Sequence, residues 1–239
     1  LKQKYGERVL KICVDGGFTC PNRTGEKGTK GCLFCSARGS GDHLTRTLSI
    51  SEQLQASLDY KSSRANKFIV YFQAYSNTYA PIETLRKKYN EALNVSSKVV
   101  GLQIATRPDC INKEICECLS EFNKNTSVVV ELGLQTASDR VGKIINRQYS
   151  TEDFVRAVKL LNLYNIEVVV HVMVGLPTDT EENLIRTIDL INSLPIKGVK
   201  IHSTYIIRGT GLEKMYLTGN YTPITKEFYL HSLEKVITR

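Results

Sequence analysis

Six short runs rich in β-branched residues recur along the chain, each followed by a stretch with the apolar spacing of an amphipathic helix. The runs are RVLKICV (8–14), KFIVYFQ (67–73), KVVGLQIA (98–105), SVVVELGLQ (127–135), IEVVVHVMVG (166–175) and VKIHSTYII (199–207). Read by period, they predict strands, with helices over 50–63, 81–93, 112–123, 137–145 with 151–164, and 179–193. The last five strands start 29 to 39 residues apart, the length of a βα repeat. Strands this apolar pack parallel under a helical layer. The pattern predicts an α/β fold, a partial TIM-type barrel of six βα units. In such folds sites gather at the C-terminal ends of strands, where this chain places the cysteine loop, QAYSNTY, TRPD, LQTASD and GLPTDT.

No linker or low-complexity tract divides residues 1–239, so one domain is expected. TKEFYLHSLEKVITR reads as a helix cut at its end and no Met opens the chain, so both ends read as trimmed. The chain shows no bilayer-length apolar run and no apolar signal core, which predicts a cytoplasmic protein and no membrane partner. Lys and Arg exceed Asp and Glu by 32 to 24, a net charge of +8. That balance favours a polyanionic partner without a block dense enough to mark a nucleic-acid patch.

Seven cysteines in a reducing compartment are seldom disulfides. Cys20, Cys32 and Cys35 share one loop after the first strand, Cys32 and Cys35 as a C-x-x-C turn, while Cys13 reads as a packed core thiol. Three convergent thiolates suit either zinc completed by a residue such as His43 or a four-iron cluster with one iron free of protein ligands.

At these residues the chain resembles the radical S-adenosylmethionine superfamily. GFTCPNRTG…GCLFCSARGSGD, YFQAYSNTYAP, IATRPDC and VKIHSTYIIRGT are similar to its YhcC/YtqA-type members, and a similar long cysteine spacing occurs in the Elongator catalytic subunit. The commonest spacing in the superfamily is C-x3-C-x2-C, whereas here eleven residues intervene between the first two cysteines. The resemblance implies a (β/α)6 core in which Cys20, Cys32 and Cys35 hold a [4Fe-4S] cluster beside S-adenosyl-L-methionine. It also implies reductive cleavage of that nucleotide to methionine and a 5'-deoxyadenosyl radical, with an electron donor such as flavodoxin or ferredoxin. Where relatives carry a Gly-Gly-Glu stretch for the methionyl ammonium, Gln73, Ser76 and Asn77 stand in. ELGLQTASDRVGKIINRQ is similar to oxygen-independent coproporphyrinogen oxidase, which implies Gln135 on the ribose and Arg147 on the methionyl carboxylate. His171 takes the place of that relative's acidic ribose ligand, with cofactor or substrate as its target. Gly175, Leu176 and Pro177 are expected to turn under the adenine, with the Tyr205–Ile207 backbone reading it.

Other candidates follow from the residues themselves. Glu131 shares strand parity with Gly133 and Gln135, and a carboxylate in an apolar strand needs a ribose or cationic partner. Arg107 and Asp109 stand at the mouth as catalytic candidates, or as a salt-bridged helix cap. Phe18 and Phe34 flank the cysteines as a shield or as packing. Gly16, Gly17 and Gly31 permit turns that bring amides near the sulfurs. Three functions compete. One is modification of the carbon 5 side chain of the tRNA wobble uridine, for instance carboxymethylaminomethyl to aminomethyl, with Arg107 and Arg38 near the RNA. The others are radical chemistry on a small metabolite or protein, and a zinc-binding RNA module without redox chemistry.

Overall fold

The structure, a computed structural model, describes residues 2–239. A short helix α1 (Lys2–Tyr5) precedes β1 (Val9–Val14), α2 (Ile50–Lys61), β2 (Lys67–Phe72), α3 (Ile82–Asn94) and β3 (Val99–Thr106). Then follow α4 (Lys113–Asn123), β4 (Ser127–Gln135), α5 (Asp139–Ile144), α6 (Thr151–Leu163), β5 (Glu167–Val174), α7 (Glu181–Asn192), β6 (Gly198–Ser203), α8 (Gly211–Leu217) and α9 (Lys226–Ile237). The six strands form one sheet in the order β1-β2-β3-β4-β5-β6, every neighbour parallel. This is the six-unit partial barrel that the βα spacing predicts.

Caps explain where helices begin. Ser49 with Glu52 and Ser150 with Asp153 make capping boxes on α2 and α6, and Asn112 and Thr180 accept the orphan amides of α4 and α7. Each such cap contributes about 1 kcal/mol. The predicted sixth strand overruns: β6 ends at Ser203, and Thr204 bonds through its amide to the Val174 carbonyl before the chain leaves the sheet. The sequence reading also passed over α1, α8 and a 3-10 turn at Pro108–Cys110, all too short to show a period.

Strand parity divides the sheet. Ile12, Phe68, Val70, Leu102, Ile104, Val130, Leu132, Val168 and Val170 join one core with Leu54, Leu85, Tyr89, Leu119, Phe154 and Leu161 of the helices. Phe18 belongs to this core, edge-on to Phe72 at 6.2 Å, so it packs and does not shield the cysteines. The opposite, concave face carries Lys11, Cys13, Tyr71, Gln103, Glu131, His171, Lys200 and His202. Cys13 is half-buried on that face beside charged side chains, a correction to its reading as a core thiol. Near the N-terminal ends of the strands, α1 is tied down by Lys4 on Ser127, Tyr5 on the Val100 carbonyl and Lys67 on the Tyr5 carbonyl. Among the described residues no helix is long and apolar enough to cross a membrane.

Candidate cofactor and substrate site

Cys20, Cys32 and Cys35 line one cavity at the C-terminal ends of the strands. The long interval between the first two is pinched at its base, where the Gly31 amide donates to the Asn22 carbonyl at 2.8 Å and the Lys27 amide to that of Pro21 at 3.0 Å. Across the pinch only Pro21, Asn22 and Gly31 separate Cys20 from Cys32. The pinch thereby draws the two ends of the long interval together. Gly31 is needed at the pinch: its φ is +71°, and a Cβ there would meet the Arg23 guanidinium at 2.8 Å. Arg23 in turn donates to the Cys35 and Ser36 carbonyls, Asn146 to that of Gly31, and the Leu212 amide at the start of α8 to that of Leu33.

The Cys32 thiol is held down to about 7 by a hydrogen bond with Cys35, against burial, with help from Arg107, Asn22 and Arg23. The same bond, with burial, pushes Cys35 up. No three His, Cys, Asp or Glu side chains among the described residues stand close enough to share one metal ion. A four-iron cube asks for three thiolates around one cavity, each on its own iron, and the loop fits that demand. His43, the fourth ligand a zinc site would need, is exposed and does not line the cavity.

Of the other candidates, Gln73, Ser76, Arg107, Glu131, Gln135 and His171 line the same cavity, and so does Phe34. Gln135 reaches it through a left-handed backbone, φ 68°, where the pairing of β4 with β5 slips between Gly133 and Gln135. A non-glycine residue held so costs energy and points to a positional demand. Arg107 is 7% exposed, stacks on the Tyr149 ring at 4.8 Å, and donates from Nε and Nη2 to Asp109 at 2.9 and 2.7 Å.

Several candidates are placed elsewhere. Asn77 is fully buried and donates to the Phe72 and Ala105 carbonyls, joining β2 to β3. Asp109 lies behind Arg107 and also pairs with Lys27 at 2.8 Å, closer to the salt-bridged cap than to a catalytic group. Arg147 is 0% exposed, and its guanidinium is spent on the Leu134, Thr136 and Tyr149 carbonyls and on Asp139, so it offers no fork to the cavity. Gly175 and Leu176 turn at the end of β5 but line a neighbouring cavity toward α9, where a Cβ on Gly175 would strike Ile224 at 2.6 Å. Tyr205 is 68% exposed, and neither it nor Ile207 reaches the cysteine cavity. Arg38 is tied to the Leu44 and Asp42 carbonyls and, with Arg107 buried, neither stands as a free phosphate contact.

Beneath the cavity an ionic network crosses the concave face. Glu131 is fully buried and accepts from His171 Nε2 at 2.7 Å, from Lys200 Nζ, and across the lumen from Lys11 Nζ at 3.3 Å. Burial opposes its charge, but hydrogen bonds from His171 and Lys200 prevail and hold the carboxyl below the usual range. Lys11 and Lys200 approach the Tyr71 ring at 5.3 and 4.6 Å, and His202 Nε2 meets His171 Nδ1 at 3.2 Å. The sequence reading found Glu131 and His171 but missed Lys11, Tyr71, Lys200 and His202. Their signal was a polar residue at alternate positions of otherwise apolar strands.

His202 keeps an exposed edge, yet partial loss of hydration, then His171 and the Lys200 charge, push its imidazole from 6.5 down to about 4, with Glu131 opposing. Between those values an unfolded His202 holds a proton that the folded one does not, so stability falls as pH falls through the window. Solvent screening limits the effect to on the order of 1 kcal/mol. Urea midpoints measured on cofactor-free protein should decline from pH 6.5 toward 4.5, and His202→Gln should flatten that slope. An unaltered slope in the variant would remove His202 as its source. Glu131 adds a loss of the same sign below about 4.5, its ordinary value.

Comparison with known proteins agrees with this geometry. The family model of the radical SAM superfamily matches residues 22–191, and that of the radical SAM C-terminal domain residues 196–239. The uncharacterized protein YtqA of Bacillus subtilis is 37% identical over 233 residues, 96% of this chain and 72% of its own length. Protein YhcC of Escherichia coli is 35% identical over 96% of this chain and 74% of its own length. A tRNA uridine(34) acetyltransferase of Dehalococcoides mccartyi is 33% identical over 129 residues, 53% of this chain and 28% of that protein. Among solved structures the archaeal Elp3 of Methanocaldococcus infernus superposes with a TM-score of 0.69 at 20% identity, covering 94% of this chain. The chain spans about half, 52%, of that solved chain. With matches of this extent over the pinched cysteine loop and the six-unit half-barrel, the chain belongs to the radical SAM superfamily and to its YhcC/YtqA type, whose cofactors are a [4Fe-4S] cluster and S-adenosyl-L-methionine.

Proposed function

We propose that this chain is a radical enzyme that modifies the carbon 5 side chain of the tRNA wobble uridine, for instance carboxymethylaminomethyl to aminomethyl. In that conversion the N–CH2 carbon loses a hydrogen atom and an electron, with S-adenosyl-L-methionine as the net two-electron oxidant, and water cleaves the resulting imine so that the two carbons leave as glyoxylate. The observation that carries the reading is the 33% identity with a tRNA uridine(34) acetyltransferase over 129 residues. The net charge of +8 supports a polyanionic partner. When bound, the cluster and S-adenosyl-L-methionine supply one-electron reduction and the 5'-deoxyadenosyl radical. Cys20, Cys32 and Cys35 hold the cluster, and Gln73, Ser76 and Gln135 orient the nucleotide's polar groups. Arg107, whose Nη1 bonds to no other described residue, takes the charge role that the sequence reading gave to Arg147. Phe34 and Tyr149 keep water from the reacting atoms. Residues 1–239 act as one catalytic unit, since β6 pairs with β5 across the boundary between the two matched family models. The setting is the cytoplasm, with a flavodoxin or ferredoxin as reductant.

The test compares a tRNA whose wobble uridine carries carboxymethylaminomethyl with the same tRNA unmodified, under anaerobic reducing conditions. Formation of 5'-deoxyadenosine that depends on the modified tRNA is expected. Equal slow cleavage with both would transfer the case to a small metabolite or protein substrate. Membership of the family sets aside the zinc module without redox chemistry.

A further inference from the structure

We infer that the cationic lumen beneath the cysteine cavity is a recognition site for an aminoacetate group, a carboxylate one carbon from an amine, on the substrate. Lys11 and Lys200 bring two positive charges to one face, and Glu131, fully buried, balances only one of them. The excess is carried by half-buried side chains, with Lys11 33% and Lys200 30% exposed. A half-buried excess cation draws an anion more strongly than a fully solvated one. The second half of the pattern is Gln103, 7% exposed on the same face, whose Oε1 has no hydrogen-bond partner. A carboxylate on Lys200 and Lys11, with an amine donating to Glu131, would balance the excess charge, and Gln103 Oε1 on the same face is a further acceptor without a partner. Tyr71, Glu131 and His171 belong both to this network and to the cofactor cavity, so a group bound here adjoins the reacting centre.

The inference rests on the wobble-uridine reading for the identity of the substrate, and carboxymethylaminomethyl carries such a group. S-adenosyl-L-methionine is a second source of the same chemistry, and the experiment separates the two. With wild-type protein, Lys200→Gln, Lys11→Gln and Lys200→Arg, the KM for tRNA bearing carboxymethylaminomethyl is read from 5'-deoxyadenosine formation, and S-adenosyl-L-methionine affinity from calorimetry. The expected result is a KM raised about 10- to 100-fold in both Gln variants and largely restored in Lys200→Arg, with nucleotide affinity unchanged. Unchanged KM in both Gln variants, or a matching loss of nucleotide affinity, overturns the inference.

If wild-type protein cleaves no nucleotide in response to this tRNA, the functional reading fails, and the anion site is judged by binding alone. Calorimetry then compares N-methylglycine with methylamine on cofactor-loaded protein. Binding of N-methylglycine only, lost in Lys200→Gln, sustains the site, and equal or absent binding of both overturns it. Thermal melts of each variant separate an unfolded protein from an emptied site, and Lys11→Gln serves should Lys200→Gln not fold.

Discussion

Single alanine substitutions at Cys20, Cys32 and Cys35 are expected to yield folded protein that takes up no stable cluster on anaerobic reconstitution. If the three thiolates each hold one iron, as proposed above, the loop would have no spare ligand. The other thiols are unsuited to replace a lost ligand. Burial pushes Cys110 and Cys116 up to about 12 and raises Cys118, and all three are packed among core groups. Cys13 is raised by burial and faces the lumen near Lys11, Lys200 and Glu131. Alanine at Cys13, Cys110, Cys116 or Cys118 should therefore retain full iron, at a packing cost of about 1 kcal/mol for a deeply buried site. The pinch adds a variant in which no ligand is touched: Gly31→Val places a branched side chain at φ +71° against the Arg23 guanidinium and should lower cluster occupancy. Iron per chain and the visible absorbance of the cluster read all of these. Full iron in Cys32→Ala would end the three-ligand assignment, and full iron in Gly31→Val would end the role of the pinch.

The fold was legible because its strands are β-branched runs at a βα interval, and β4 was placed residue for residue at Ser127–Gln135. β6 was overrun because the apolar character of TYII continues beyond the last ladder bond. Within the site, strand parity led to Glu131, the resemblance to coproporphyrinogen oxidase led to Gln135, and a C-x-x-C turn led to the cysteines. What stayed hidden depends on curvature. Lys11 on β1 and Glu131 on β4 stand 120 positions apart and meet only because the sheet curls, and a lysine in an edge strand reads from sequence as a solvated position. The pinch was hidden for a related reason: a hydrogen bond between Asn22 and Gly31 leaves no mark on the spacing that it shortens. Homology-guided expectation failed at Arg147, where the spacing from Gln135 pointed to a ligand contact while the local backbone turns the side chain inward.

That turn leads to the second large effect. Asn146 and Gln148 both adopt left-handed backbone, φ 56° and 64°, on either side of Arg147. The side chain is thereby directed into the junction of β4, α5 and α6, against Gly142, where an added Cβ would touch the guanidinium at 2.9 Å. Its bonds to three backbone carbonyls at 2.6 to 3.0 Å and to Asp139 at 2.7 Å close the strand-to-helix connection. Arg147→Ala should destabilise the protein by about 3 to 5 kcal/mol, because it leaves those carbonyls buried without donors and opens a void the size of the side chain. Arg147→Lys should recover only part, since an ammonium keeps the Asp139 pair but cannot span three carbonyls in a plane. Denaturant midpoints give the stability, and calorimetry at a temperature where each variant is folded gives S-adenosyl-L-methionine affinity. A structural role predicts a lowered midpoint in both variants, with nucleotide affinity in Arg147→Lys near wild type. Weakened nucleotide binding with an unchanged midpoint would return Arg147 to the methionyl carboxylate. Tyr149 links the two possibilities, since its ring lies 4.8 Å from both guanidinium centres, Arg107 on the cavity side and Arg147 on the core side. Loss of Arg147 therefore reaches the site only through that ring, and Tyr149→Phe, which keeps the stack but removes the hydroxyl bond to the Gly133 carbonyl, should leave nucleotide affinity close to wild type.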